Sequence, residues 1–570
     1  MTRFPLSAKV QAGWLSALVM LAALLAVGGC QNIKWRGQNE SAEAAKFADA
    51  KASGSAKYIS DAVAVWGMED AKVENIGLVT GLNHTGSDPA PSWQRERLVK
   101  DMQAKNIKDP GEILASDTTS MVIVAANIPP GIRKGERFDV YVTTLPNSET
   151  TSLRGGLVMQ TWLSPKVVLN GRPRDGHDVA LAKGRIQVRS LFETNGDQLS
   201  ETTGFVLGGG IADSDRLLGL AIRDEFATFK SAVSIARAIN TRFSTYDETG
   251  KINVAEPKND RNIHLLVPEA YRQNIGRYVR VVINIVYQES PEQRMERLEQ
   301  LERELNEPAL AQQAALRLEA IGADAAPALK RALHSDDAEV RFFAAEALTY
   351  LDEPDGIPEL QRAAERMPDF RWHALTALCS SEEVAAGQAL TDLMHVENAE
   401  CRYGAFRAML ERSPYDPLMA GDWEAGEFFL HVVPSTASTL IHISAQKRAE
   451  VVVFGGNVPV SNDLIFIESG LTVQALGDKT VEMIRYLPGE GEKKLKCRNT
   501  VADVIRSMAQ LGCEYSTLIA MCKETQMAGT LNAKMVINRV PTSQRMYARG
   551  GAMAEVDAAS VSNTASSIET

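Results

Sequence analysis

A ten-residue pattern recurs three times in this chain and constrains its fold more than any other feature. Glu339-Val340-Arg341-Phe342-Phe343-Ala344-Ala345-Glu346-Ala347-Leu348 returns as Asp369-Phe370-Arg371-Trp372-His373-Ala374-Leu375-Thr376-Ala377-Leu378. It returns again as Glu400-Cys401-Arg402-Tyr403-Gly404-Ala405-Phe406-Arg407-Ala408-Met409, at spacings of 30 and 31 residues. A degenerate copy surrounds Gln312 to Leu318. An acid, an arginine, an aromatic group and small residues at helical spacing describe a unit too short to bury its apolar face alone. Such units stack, so neighbours share one continuous core. A charged helix leads in, with Met295, Leu298, Leu301 and Leu305 on one face. Arg341, Arg371 and Arg402 form either a ligand ladder on the repeat face or, the weightier reading, repeated caps on a neighbouring helix or turn.

The texture on both sides differs. From about 61 to 290 short strand-like runs alternate with Gly and Pro turns: Met121 to Ile128, Arg137 to Leu145, Gly156 to Leu163 and Arg280 to Tyr287. Two helical patterns, Trp93 to Asn106 and Phe226 to Phe243, lie among them, the second with Phe229, Val233, Ala236 and Ile239-Asn240 near one face. After about 414 the strands return at Glu450 to Phe454, Leu464 to Glu468 and Leu471 to Leu476. A helical hairpin, Thr500 to Gly512 and Tyr515 to Met527, precedes a last strand, Asn532 to Asn538. The fold class is α+β, a strand-rich unit interrupted by an all-α solenoid, or two such units separated by it. The expected boundaries are a signal peptide over 1–30, a tether over 31–60, α+β regions over 61–290 and 415–540, the helical block over 291–414 and a disordered tail over 541–570.

The N-terminus sets the compartment. Arg3 and Lys9 precede an uncharged apolar run, Trp14 to Val27, shorter than the roughly 20 residues a spanning helix needs. It ends Leu25-Ala26-Val27-Gly28-Gly29-Cys30, which resembles the lipobox of bacterial lipoproteins. That resemblance implies lipid attachment at Cys30 and, with Gln31 following, outer-membrane sorting. A plain signal peptide with a chance cysteine is the alternative. With Cys30 lipidated, five cysteines remain, so one cannot pair within the chain. Cys379 and Cys401 read as buried small residues, while Cys497 could join Cys513 or Cys522.

Chemistry is sparse. A net charge of −11 argues against a nucleic-acid partner. HExxH, CxxC, GxSxG and Walker patterns are absent, and no two histidines stand at helical metal-ligand spacing, so no catalytic residue, metal ligand or cofactor is expected. Gly208-Gly209-Gly210 lacks the spacing of a dinucleotide loop and reads as a turn. His84-Thr85-Gly86-Ser87-Asp88 sets nucleophile, base and acid side by side, but a triad needs partners from different elements, so a turn is expected here too. Arg133, Lys134 and Arg137 follow Pro129-Pro130-Gly131 and form a basic group, either solvated or facing an acidic partner.

Six segments in order resemble the bacterial flagellar P-ring protein family. Gly77 to Gly86 is similar to its early GLV…GLNGTG signature, and Val122 to Pro130 with Arg133, Gly135, Phe138-Asp139-Val140 and Val142 to its strand, Pro-Pro turn and strand. Ser152-Leu153-Arg154-Gly155-Gly156-Leu157 matches its SLRGG segment, and Phe226 to Phe243 resembles its AIN helix. Val451 to Ala475 and Val501 to Met535 resemble its later strands and closing helices. The repeats between them look like short HEAT-type repeats, foreign to the family's usual plan, as is the lipobox.

The resemblance implies a non-enzymatic subunit of a ring around the flagellar rod, a bushing that supports rotation, in the periplasm and lipid-anchored to the outer membrane. Its implied partners are further copies of itself, the rod, the L-ring and peptidoglycan. Arg133, Lys134 and Arg137 are the candidates for contact with the rod or an adjacent copy. The alternative is an envelope-anchored adaptor that binds a protein through its repeats, and removal of residues 307–413 is expected to separate the two.

Overall fold

The computed structural model describes residues 57–545, apart from 170–171, 193–197, 248–249, 425, 457, 469, 478, 488, 490 and 532. The signal peptide, Cys30, the tether up to residue 56 and the tail from 546 lie outside the described residues.

Six antiparallel strands form a closed barrel: β1 (Ala71–Thr80), β2 (Thr119–Ile128), β3 (Arg137–Thr144), β4 (Leu157–Leu163), β5 (Ala180–Arg185) and β6 (Thr203–Ala212). Their order is β6-β3-β2-β1-β4-β5, and β6 pairs with β5 to close it. Alternation fills the interior, since Val122, Val124, Ala126 and Ile128 of β2 and Phe138, Val140 and Val142 of β3 are buried. The closing strand needs a corner. Thr203 to Val206 pair with β3, the register then slips, and Gly210 to Ala212 pair with β5. Leu207-Gly208-Gly209 are that bulge, and Gly210 resumes the pairing opposite Phe138, so the glycine run read as a turn lies within a strand. A Cβ on Gly210 would stand 2.3 Å from the Phe138 ring, and Gly208 has φ +59°.

Beside the barrel, strands Val63–Trp66, Leu218–Ile222, Asn262–Leu265 and Ala255–Pro257 form a small antiparallel sheet. Helix α1 (Phe229–Arg242) packs on it through Ala232, Ile235, Ala236 and Ile239. The Asn240 amide bonds both the N–H and the C=O of Ala255, completing an edge strand. Phe229, expected on the buried face, is 67% exposed in the first turn.

Arg280 to Tyr287, read as a strand, divides into the end of α2 (Ile275–Ile283) and a three-residue strand, Val286–Gln288. The Asn274 side chain caps α2 by accepting from the Arg277 N–H, and Tyr278, Val279, Val281 and Val282 are all buried. Packing of a helix buried on several sides overrides the strand preference of its β-branched residues.

The solenoid follows as α3 (Pro291–Leu305), α4 (Ala311–Ile321), α5 (Ala326–Ala332), α6 (Ala338–Thr349), α7 (Ile357–Arg366), α8 (Arg371–Ser380), α9 (Val384–Leu393) and α10 (Ala399–Arg412). Ser290 and Gln293 form a capping box at the start of α3. Leu301 and Leu305 are buried, but Met295 is 70% exposed, so the apolar contact of α3 starts a turn later than its sequence suggests.

The chain then builds a mixed sheet from β7 (Gly421–Glu424), β8 (Phe428–Val433), β9 (Leu440–Ile443), β10 (Glu450–Phe454) and β11 (Lys534–Ile537), in the order β7-β8-β10-β9-β11. Alternation gives this sheet two buried faces. Leu430, Ile441, Ile443, Val451 and Val453 join the barrel core, while Val433, Leu440, Val452 and Phe454 join the solenoid core. A four-stranded meander over 465–498 and helices α11 (Val501–Gln510) and α12 (Tyr515–Met527) complete the barrel-side core. The segments before and after the repeats therefore pack on each other. Cys379, Cys401, Cys497, Cys513 and Cys522 are all free thiols.

Candidate functional site

At the barrel corner, Asp139 on β3 accepts from the Gly208 N–H and the Lys447 N–H, both at 2.7 Å, joining the bulge to the β9–β10 loop. Burial pushes the Asp139 carboxyl up, while those two amides and the charges of Lys447 and Arg407 pull against it. The Arg137 guanidinium donates to the Gly208 carbonyl at 3.0 Å, which pins the same bulge. Arg133 and Lys134 stand out in the preceding turn. Arg133 is half exposed and 3.4 Å from Glu269, and Lys134 lies 3.3 Å from Asp213. The three basic residues share one region, but each meets its own partner.

The His84 cluster is a turn whose groups are engaged separately. His84 Nδ1 pairs with Asp117 at 2.7 Å, the Thr85 hydroxyl donates to the Ser152 carbonyl, Ser87 meets Thr150 at 3.0 Å and Asp88 pairs with Arg95. Among the described residues the Ser87 hydroxyl meets only the hydroxyls of Ser148 and Thr150, at 3.3 and 3.0 Å. Among the described residues no group of three His, Cys, Asp or Glu side chains could hold a metal ion, and no helix is long and apolar enough to cross a membrane.

The arginine ladder is not open to a ligand. Arg341 donates to the Ser335 and Asp336 carbonyls, beyond the end of α5. Arg371 reaches the Ala364 and Glu365 carbonyls in the last turn of α7, and Arg402 the Val396 carbonyl after α9 and that of Ser438. Arg371 and Arg402 are buried. Each guanidinium satisfies carbonyls in the last turn of the preceding helix or in the loop that follows it, a structural duty that recurs at the repeat spacing.

Two buried ion clusters, which the sequence did not reveal, join the solenoid to its flanks. At its start, Arg277 of α2 lies between Glu319 of α4 and Glu346 of α6, and Tyr271 donates to Glu319 at 2.7 Å. Burial alone would lower the Arg277 pKa, but the two carboxylates raise it above the ordinary value. At its end, Glu450 of β10, fully buried, accepts from Tyr403 at 2.6 Å and Arg407 at 3.1 Å, both on α10, and from Arg448. Burial pushes the Glu450 carboxyl up, yet Arg407 and Arg448 hold it below the usual value. His442 stacks on Tyr403 at 3.5 Å, and burial brings its pKa down to about 3, so it stays neutral.

Residues 291–414 also hold 24 Asp+Glu against 13 Lys+Arg. That surplus of 11 equals the excess of 72 acids over 61 bases in the whole chain, so the rest is balanced.

Residues 58–295 match the family model described as Flagellar P-ring protein, and residues 295–379 and 326–410 match that of HEAT repeats. A flagellar P-ring protein of Wolinella succinogenes is 26% identical over 221 residues, covering 38% of this chain and 58% of the relative. That of Campylobacter jejuni is 29% identical over 226 residues, 38% of this chain and 59% of the relative. That of Sulfurimonas denitrificans is 25% identical over 241 residues, 40% and 66% respectively. The chain spans about three-fifths of the length of the first curated relatives it matches. The P-ring resemblance is borne out over the barrel, the small sheet and α2, and the repeat resemblance over the solenoid. The likeness drawn at Val451 to Met535 lies outside the matched residues.

Proposed function

We propose that this chain is a structural, non-catalytic subunit of a P-ring-like ring around the flagellar rod, built from copies of itself and carrying a helical solenoid as a docking surface. The observation that carries the reading is the P-ring match over 58–295, which coincides with a closed barrel and its adjoining sheet. Head-to-tail contacts between identical copies close into a ring when the rotation allows. A bushing also needs rigid walls, which a barrel without open edges supplies. In this reading the ring sits in the periplasm near the L-ring and peptidoglycan, and Cys30 carries the lipid that tethers each copy to the outer membrane. Arg133, Lys134 and Arg137 serve as the contact with the rod or the next copy, supported by the exposure of Arg133 and Lys134 at one turn.

The second reading, an envelope-anchored adaptor, is favoured by one observation: the solenoid alone carries the acidic surplus, as a docking surface for a basic partner would. Isolated hook–basal bodies from cells bearing a tagged chain separate the two. A ring subunit co-purifies with the rod-encircling ring, and charge reversal at Arg133, Lys134 and Arg137 together reduces ring recovery and swimming. Rings that stay intact without this chain would reject the first reading, and unchanged recovery in the triple variant would reject the contact.

A further inference from the structure

The C-terminal chain does not stop at the sheet. After β11 it turns at Asn538, φ +50°, and crosses onto the solenoid. Pro541 lies over Gly404, in the interior of α10. A Cβ on Gly404 would stand 2.7 Å from Pro541 Cγ and 2.6 Å from Leu375 Cδ1. Four residues on, the two terminal nitrogens of Arg545 donate to the two oxygens of Glu400 at 2.7 and 2.8 Å, and Nη1 also approaches the Pro368 carbonyl at 3.4 Å. Arg371 holds Glu400 from the other side at 3.5 Å.

The seat belongs to the solenoid. Gly404 stands where the two preceding repeats carry Phe343 and His373, so the third repeat alone lacks a side chain at this point. Glycine destabilises a helix interior and is kept where a backbone must approach closely. Glu400 occupies the acid position of the repeat and is mostly buried, which favours a forked, charge-assisted pair with arginine. Between these anchors Thr542, Ser543 and Gln544 are exposed. The strap is thus fixed at two points and free between them.

We propose that the Gly404–Glu400 seat is a docking site for an extended protein segment bearing a proline and, four residues later, an arginine, and that the chain's own Val540–Arg545 masks it. The occupant's chemistry is read from the one segment seen there. The inference rests on the solenoid being a docking surface, and its failure would leave the ring reading untouched, because that is tested on basal bodies.

A tethered strap competes at an effective concentration of about 1 mM, so for a segment binding at about 100 µM masking weakens the apparent affinity roughly tenfold. The probe is a fluorescent peptide with the sequence of residues 538–547. It is titrated by anisotropy into the full chain and into the full chain carrying Pro541→Gly and Arg545→Gln, which releases the strap without truncation. The released chain should bind at least tenfold more tightly. Adding Glu400→Gln to it, or replacing the arginine at position 545 of the peptide by glutamine, should remove most of that gain. Thermal melts of each chain establish that it is folded. A released, folded chain that binds no more tightly than the unmodified one would overturn the proposal, as would binding indifferent to Glu400.

Discussion

Replacing Glu450 by glutamine tests whether the solenoid is bolted to the sheet by charge. Glu450 is fully buried on the solenoid face of β10 and shared by Tyr403 and Arg407 of α10 and by Arg448. Glu450→Gln keeps the shape and an acceptor for Tyr403 but removes the buried carboxylate that Arg407 and Arg448 share, leaving Arg407 the more exposed Glu411 at 3.3 Å. Breaking one side of a buried ion pair costs about 3–5 kcal/mol. Arg407 and Arg448 retain 17% and 30% side-chain exposure, so some water reaches them and the lower end applies. About 3 kcal/mol in local stability corresponds to roughly a hundredfold loss of hydrogen-exchange protection. That loss should appear at pH 7 in the amides of α10 and spare the barrel strands. Replacing both Glu450 and Arg407 by methionine should recover most of it, since an apolar contact needs no desolvated charge. The pH dependence has a definite sign. Burial raises the Glu450 carboxyl, but Arg407 and Arg448 prevail and depress it in the folded chain. Its stabilisation is therefore fully present above the unfolded value of about 4.3 and is lost as pH falls through the lower, folded one. Protection of α10 in the unmodified chain should fall in that acidic window, while the glutamine variant lacks this component. A change in α10 protection below about threefold at pH 7 would refute the bolt, because a buried pair cannot be severed so cheaply.

Gly210→Val places a side chain 2.3 Å from the Phe138 ring at the barrel corner, and overpacking there should cost about 1–3 kcal/mol. Limited proteolysis should then cut near β6 first, and an unchanged pattern with unchanged melting would contradict the corner. Arg402→Met leaves the Val396 and Ser438 carbonyls without their charged donor, at a cost of about 3 kcal/mol. The loss should register as exchange in α9 and α10 while the barrel is unaffected, and equal protection throughout would show that the repeat arginines are not caps.

The readable parts of the fold were those decided locally. A strand-like run between Gly and Pro turns marked β2, and the second helix of the hairpin, Tyr515–Met527, has the bounds its pattern predicted. The repeat announced the solenoid, and its period hinted that the arginines serve a repeated structural duty. Arg280 to Tyr287 misled because valine and isoleucine favour strands, while the burial that makes α2 a helix comes from other elements. Nothing in the local sequence marks Glu319 and Glu346 as buried. Their burial depends on Arg277, 42 residues before Glu319, and no local pattern encodes that meeting. Gly404 was within reach, since the aligned copies place Phe343 and His373 at its position and a lone glycine there marks a close approach.

The two bolts change how the insertion must be tested. Excising residues 307–413 appears in sequence to remove a self-contained module between two flanks. In the structure it would remove Glu319, Glu346, Tyr403 and Arg407, which pair with Arg277 and Glu450 across the two junctions, and leave Glu450 with Arg448. It would also uncover Val433, Leu440, Val452 and Phe454, which pack into the solenoid core. Both junctions are lost with the insertion, and the bared sheet face presents apolar surface open to aggregation. A chain so damaged would fail to assemble whether or not the solenoid binds a partner, so loss of rings would not discriminate between the readings. Buried ion pairs contribute less net stability than apolar packing would, and what they add is a single permitted geometry. Here they tie the solenoid to the barrel side and the sheet at both of its ends, as the proposed docking surface would require. The informative perturbations are therefore single exposed residues on an intact solenoid, because only those change what it presents without changing how it is held.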